Sequence, residues 1–150
     1  MIRKITVKDA AAVQVLINKN SKLHAVLPRS LNDIYENLRD FFVYHEDNNI
    51  LGCCALHITW DNLAEIRSLI VDESIREKGV GSQLVDACCS EAKQLKVKKI
   101  FLLTAKPDFF KKLGFKIIDK AELPHKIWND CLNCIQFPEC NEDAMVREIE

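Results

Sequence analysis

The feature that most constrains this chain is a seven-residue stretch, Arg76-Glu77-Lys78-Gly79-Val80-Gly81-Ser82, set between an extended apolar run and a helical pattern. Ahead of it, residues 64–71 read as a long strand. Behind it, Leu84, Val85, Cys88, Ala92 and Leu95 recur at helical spacing, and residues 100–104 read as the next strand. The result is a strand, glycine loop, helix, strand unit. An anion belongs at such a loop: free N–H groups and the positive helix end point into it, two glycines allow close approach of a phosphate, and Arg76 and Lys78 add charge. The pattern is neither G-x-G-x-x-G nor a Walker A loop, since no Gly-Lys-Ser/Thr follows, so dinucleotide and nucleoside triphosphate readings fare poorly. Taken alone, it also fits a plain glycine-rich turn before an amphipathic helix.

The rest of the chain supplies a mixed α/β order. Residues 2–5 form a short predicted strand, and Thr6 with Asp9 resembles a capping box for a helix carrying Val13, Leu16 and Ile17 on one face. A loop over 23–29 is closed by Pro28. Ser30 and Asp33 then cap a second helix with Leu31, Ile34 and Leu38 on one side. Residues 41–45 and 50–58 flank Asp47-Asn48-Asn49, turn chemistry for an antiparallel hairpin, and a further turn at Asp61-Asn62 leads into the strand at 64–71. Pro107 suits the first turn of a short helix reaching Leu113. Gly114 ends it, residues 115–118 return as a strand, and 144–149 read as a final one.

With 150 residues, 48% hydrophobic and 29% charged, the chain reads as one globular domain over 1–150. Twenty-one Lys plus Arg against 22 Asp plus Glu leave no bulk charge to draw it to nucleic acid or an anionic membrane. The first ten residues lack the apolar core of a signal peptide, and apolar stretches such as 51–56 are too short to span a bilayer, which points to the cytoplasm. Seven cysteines, with Cys53/Cys54 and Cys88/Cys89 adjacent, look like buried or reactive thiols in a reducing compartment rather than a disulfide framework.

Arg76-x-x-Gly79-x-Gly81, after a strand and opening a helix, resembles the Gln/Arg-x-x-Gly-x-Gly/Ala fingerprint of the GNAT acetyltransferases. The later Phe109-Phe110-Lys111-Lys112-Leu113-Gly114-Phe115 resembles that family's aromatic-aromatic-x-x-x-Gly-Phe element, so the likeness covers most of residues 1–118 and leaves 119–150 as a cysteine-containing tail. It implies a GNAT-like acyl-CoA N-acyltransferase fold: a central, mixed, mostly antiparallel sheet flanked by helices. It also implies acetyl-CoA as cosubstrate. The amides of Arg76, Glu77, Lys78, Gly79, Val80, Gly81 and Ser82 would hold the pyrophosphate, and the backbone of Leu69, Ile70 and Val71 would pair with the pantetheine arm. Many relatives have a tyrosine where Phe110 stands, as proton donor to the leaving thiolate. Phe110 would line the coenzyme site without that role, and since a thiol's pKa is about 8.5, water can supply the proton.

Attack on a thioester needs a neutral amine, and Glu65 is the candidate base, five residues before Ile70 on the strand that leads to the loop, where the family often keeps a catalytic glutamate. A surface role, or simple pairing with Arg67, is the competing reading. A backbone N–H of Ile70 or Leu69 would meet the tetrahedral oxyanion. A narrower resemblance, to the acetyltransferase domain of N-acetylglutamate synthases, is carried by Leu27-Pro28-Arg29-Ser30, by Ala64-Glu65-Ile66-Arg67-Ser68-Leu69 and by the non-tyrosine Phe109-Phe110 pair. It implies glutamate as acceptor in arginine biosynthesis, with Leu27 and Arg29 at the substrate and the Arg29 fork on a carboxylate. The family's later Arg-x-Ser segment is not visible in 126–131.

Cys131-x-x-Cys134, Cys140 and His125 have zinc-ligand chemistry, but the set lacks a second close pair and acetyl transfer needs no metal, so none is assigned. Two alternatives stay open: another amine or protein amino group as acceptor, and a coenzyme-A-binding module without catalysis. A homodimer stays open as well.

Overall fold

The structure, a computed structural model, describes residues 1–21, 27–123 and 142–149. They fall into two compact units, Met1–Ile100 with Glu148–Glu150, and Phe101–Arg147.

The first unit contains β1 (Ile2–Lys4), α1 (Ala10–Asn20), α2 (Leu31–Glu36), β2 (Phe41–Glu46), β3 (Asn49–Trp60), β4 (Leu63–Val71) and α3 (Val80–Gln94). Its four strands pair antiparallel in the order β1-β2-β3-β4. Local chemistry sets the helix starts as expected. The Thr6 N–H donates to Asp9 Oδ2 at 2.8 Å, with Arg3 forked onto the same carboxylate at 2.7 and 3.0 Å, and the Asp33 N–H donates to Ser30 Oγ at 3.0 Å.

Two helix ends differ from the sequence reading. The helix after Ser30 stops before Leu38, which falls in a 3-10 turn. Asn37 leaves helical geometry at φ −115°, and its Nδ2 donates to the Asp33 carbonyl at 2.9 Å, side-chain competition that ends short helices. Leu95 lies just past α3 and is exposed; Lys96 turns left-handed at φ 66° and the Val97 N–H returns to the Ala92 carbonyl at 2.9 Å. Cys89 is buried on α3 instead.

The sheet carries apolar layers on both faces. On one, Val13 and Ile17 of α1 and Ile34 of α2 meet Phe41, Val43, Cys53, Ala55 and Ile70, all fully buried. Each such aliphatic side chain contributes about 1.5–3 kcal/mol by leaving water. On the other, α3 presses Leu84, Val85 and Cys88 onto β3. Gly52 permits this approach, since a Cβ there would come within 3.2 Å of Leu84 and 3.3 Å of the Ile70 carbonyl.

The β3–β4 ladder is interrupted twice. Trp60 pairs with Leu63, but Ile58 pairs with Ala64 and His57 with Glu65, so Thr59 is an extra residue on β3. Farther on, Ala55 pairs with Arg67 and Cys53 with Ile70, so β4 carries an extra residue at 68–69 and the first register is restored.

The second unit takes in most of β5 (Lys99–Thr104), then α4 (Pro107–Lys111), β6 (Lys116–Ile118) and β7 (Asp143–Glu148), with β7 lying between β5 and β6 in its part of the sheet. Pro107 stands in the first turn of α4, Gly114 turns the chain at φ 89°, and Arg147 Nη1 donates to the Leu113 carbonyl at 3.0 Å. The fold is the mixed, mostly antiparallel seven-stranded α/β class that the sequence predicts.

Candidate active site

The second interruption builds the most unusual backbone in β4. Ser68 sits at φ 55°, a left-handed conformation rare for a residue with a Cβ. Two side chains meet it there. The Cys53 thiol donates to the Ser68 carbonyl at 3.2 Å, and Arg29 Nη1 reaches Ser68 Oγ at 3.3 Å. Arg29 is deeply placed, its side chain 9% exposed, with Nε on Asp33 Oδ2 at 2.6 Å and the guanidinium 4.9 Å above the Phe41 ring. Its backbone is clamped by Asn18, which accepts from the Arg29 N–H at 2.9 Å and donates to its carbonyl at 3.1 Å. Two of five guanidinium N–H donors are accounted for by these contacts. Leu27, two residues earlier, is half exposed.

Glu65 lies buried two residues before Arg67, and the Arg67 Nε bonds its Oε1. Strand alternation puts both on one face of β4, the face shared by Ala55 and His57. The ion pair weighed from the sequence is therefore present, on the same stretch of β4 as the Ser68 bulge. Ile70 is fully buried opposite Cys53, and Leu69 and Val71 are half-buried. Burial pushes the Cys53 thiol up to about 12, so it stays protonated and serves as a donor rather than a nucleophile.

The loop after β4 begins with Asp72, whose carboxylate accepts from the Ser74 N–H and hydroxyl and is held below its ordinary range by them. Glu77 and Gly79 both take positive φ, 67° and 78°. A left-handed Gly79 followed by helical Val80 turns successive N–H groups to one side, a concave anion-binding backbone. The first intrahelical bond of α3 is Gln83 N–H to the Gly79 carbonyl at 3.1 Å, so the Val80, Gly81 and Ser82 amides belong to the unpaired first turn. Space above Gly79 is open, with nothing within 4 Å of a Cβ position, while Arg76, Glu77 and Lys78 are exposed. This backbone fits a pyrophosphate.

Phe110 is buried in the second unit, edge-on to Phe109 and Phe115 at 4.9 and 5.7 Å between centroids. It packs as a hydrocarbon and brings no hydroxyl. His125, Cys131, Cys134 and Cys140 lie outside the described residues. Cys53, Cys54, Cys88 and Cys89 are buried, with Cys88 Sγ 3.6 Å from Cys54 Sγ. Nothing in the sequence pattern assigns a role to Ser68, His57 or Asp40 individually. His57 Nδ1 is 2.7 Å from Asp40 Oδ2, and only the shifted ladder brings His57 opposite Glu65.

A family model described as an acetyltransferase (GNAT) domain matches residues 37–117. An uncharacterised N-acetyltransferase of Chlorobaculum tepidum is 38% identical over 99% of this chain and 96% of its own length. An amino-acid acetyltransferase of Mycobacterium tuberculosis is 29% identical over 87% of this chain and 76% of its own length. One from Pasteurella multocida is 30% identical over 83% of this chain but only 29% of its own. Among solved structures, N-acetylglutamate synthase of Neisseria gonorrhoeae, complexed with coenzyme A and N-acetyl-glutamate, superposes with a TM-score of 0.90 at 23% identity, covering all of this chain and 35% of that one. A Mycobacterium tuberculosis protein in complex with CoA reaches 0.85 at 22% identity, over 100% and 99% of the two chains. Since the family model spans more than half the chain and a relative matches it almost end to end, the chain belongs to the GNAT family and is an N-acetyltransferase that uses acetyl-CoA.

Proposed function

We propose that the acceptor is the α-amino group of an amino acid, L-glutamate, and that the reaction serves arginine biosynthesis in the cytoplasm. The observation that carries this reading is Arg29: a guanidinium fixed over Phe41 beside the Ser68 bulge, with donors left over for a carboxylate. The relatives named amino-acid acetyltransferases, and the N-acetyl-glutamate bound in the Neisseria enzyme, support the same acceptor.

In this reading the 76–82 amides hold the pyrophosphate and the backbone of Leu69 to Val71 aligns the pantetheine arm. Glu65 takes a proton from the acceptor's ammonium, the freed nitrogen pair attacks the acetyl carbonyl carbon, and the N–H of Ile70 or Leu69 meets the oxyanion. Collapse expels the coenzyme thiolate, which water protonates, because Phe110 has no proton to give. Leu27 borders the acceptor.

A second reading, an amine without a second carboxylate, is favoured by one contact: Asp33 at 2.6 Å already offsets much of the Arg29 charge. Incubation with acetyl-CoA and L-glutamate, followed by mass spectrometry, separates the two. N-acetylglutamate is the product expected. Acetylation of a different amine, with glutamate untouched, overturns the acceptor.

A further inference from the structure

Asp40 and His57 have no role in the steps above, yet His57 shares a face of the sheet with Glu65. Asp40 ends the 3-10 turn before β2, and its carboxylate lies 2.7 Å from His57 Nδ1. An acceptor there takes the Nδ1–H, fixes the tautomer and leaves Nε2 as the basic nitrogen. Among the described residues no hydrogen bond to Nε2 is found, and the His57 side chain is 32% exposed. Directly across the ladder is Glu65, with paired Cβ atoms about 4.5–5.5 Å apart in such positions.

Glu65 is only 9% exposed, and Arg67 is bonded to its Oε1. A proton collected by a buried carboxylate must leave before the next turnover. His57, across the ladder from that carboxylate and partly exposed, offers the proton a path to solvent.

We infer that His57, oriented by Asp40, receives the acceptor's ammonium proton from Glu65; the inference rests on reading Glu65 as the base. An ammonium N–H bond breaks and its electron pair stays on nitrogen. The proton passes to a Glu65 oxygen, then to Nε2, where a new N–H bond makes an imidazolium facing Asp40. Water takes that proton at the exposed edge. Among the described residues, the other charged groups near this face are Arg67 from β4, Arg29 from the segment entering α2 and Asp33 within α2, while α1 presents buried apolar residues and Asn20.

The test uses His57→Asn, which keeps an amide donor for Asp40 but lacks Nε2, beside His57→Ala, Glu65→Gln and the double variant His57→Asn/Glu65→Gln. The expected result is a fall in kcat near neutral pH of about 10²-fold, unchanged acetyl-CoA affinity by calorimetry, and a kcat/KM profile against pH that differs in shape from the wild type. Added imidazole restores part of the His57→Ala activity, and the double variant is no worse than the poorer single one. If His57→Asn keeps wild-type turnover while Glu65→Gln loses it, the inference is overturned and the Glu65 reading stands. If His57→Asn is impaired equally at every pH and imidazole rescues nothing, His57 is structural and the inference is again overturned. Wild-type turnover in Glu65→Gln with a rescuable loss at His57 would instead overturn Glu65 as base, and with it any transfer through that residue.

Discussion

Arg29 concentrates the substrate question in one side chain. It is held by Asp33, Ser68 and Phe41 together, so its fork presents a fixed geometry. Truncation in Arg29→Ala removes a charge-assisted bond worth about 1.5–3 kcal/mol, a loss of roughly 10- to 150-fold in kcat/KM for glutamate, with acetyl-CoA affinity unchanged. Arg29→Lys should recover only part, because a point charge cannot reproduce the fork. Steady-state kinetics on the two variants measure both effects, and wild-type kcat/KM in Arg29→Ala would remove the contact. A second residue bears on stability. The Arg3 fork, more than any other contact, holds Asp9 at about 2 against an ordinary 3.8. The unfolded chain therefore binds the extra proton first, and the stability from Asp9 is present above about pH 4 and lost as pH falls toward 2. Because Arg3 is more than a third exposed, the discounted effect is about 1 kcal/mol. Asp9→Asn should thus lower Tm at pH 7 and approach the wild-type Tm as pH falls from 4 to 2.

At the scale of elements, the caps, the hairpin turn and the glycine loop were readable because each is fixed by residues a few positions apart. Ser30 with Asp33 and Pro107 with Gly114 are examples. What could not be read is the register of β3 on β4. A two-residue turn at Asp61-Asn62 without interruption would set Glu65 opposite Ile58 rather than His57, and a slip of one residue exchanges the faces. The extra residue at Thr59 makes that slip and the one at 68–69 reverses it, and neither position carries the glycine that usually announces a bulge. Arg29 was readable by resemblance, while its partners Ser68 and Phe41, far along the chain, were not. The loop and α3 carry the coenzyme prediction. Gly81, in the first turn of α3, supplies one of the amides that would hold phosphate, so Gly81→Val should weaken acetyl-CoA binding while circular dichroism and Tm show a folded protein. Unchanged affinity by calorimetry in that folded variant would move the pyrophosphate elsewhere.

For the larger of the two compact units, helices cover the β3 thiols Cys53 and Cys54 from the two faces of the sheet. Cys53 and Cys54 are fully buried, and burial drives Cys53 up, while contact with Cys88 and burial together drive Cys54 up. Neither is a thiolate at neutral pH, so alkylation must wait for opening of the core. Iodoacetamide at pH 8 should leave both unmodified in the native protein and label both in denaturant, as read by peptide mass mapping; rapid native labelling would mean that the α3 layer opens readily. Transfer of acetyl from acetyl-CoA to glutamate is read out by steady-state thiol release from acetyl-CoA with L-glutamate, set against aspartate, glutamine, lysine and a peptide amino terminus. The highest kcat/KM is expected for glutamate, with little release when no acceptor is present. Release at the same low rate with every acceptor, or a higher kcat/KM for an uncharged amine, would contradict it.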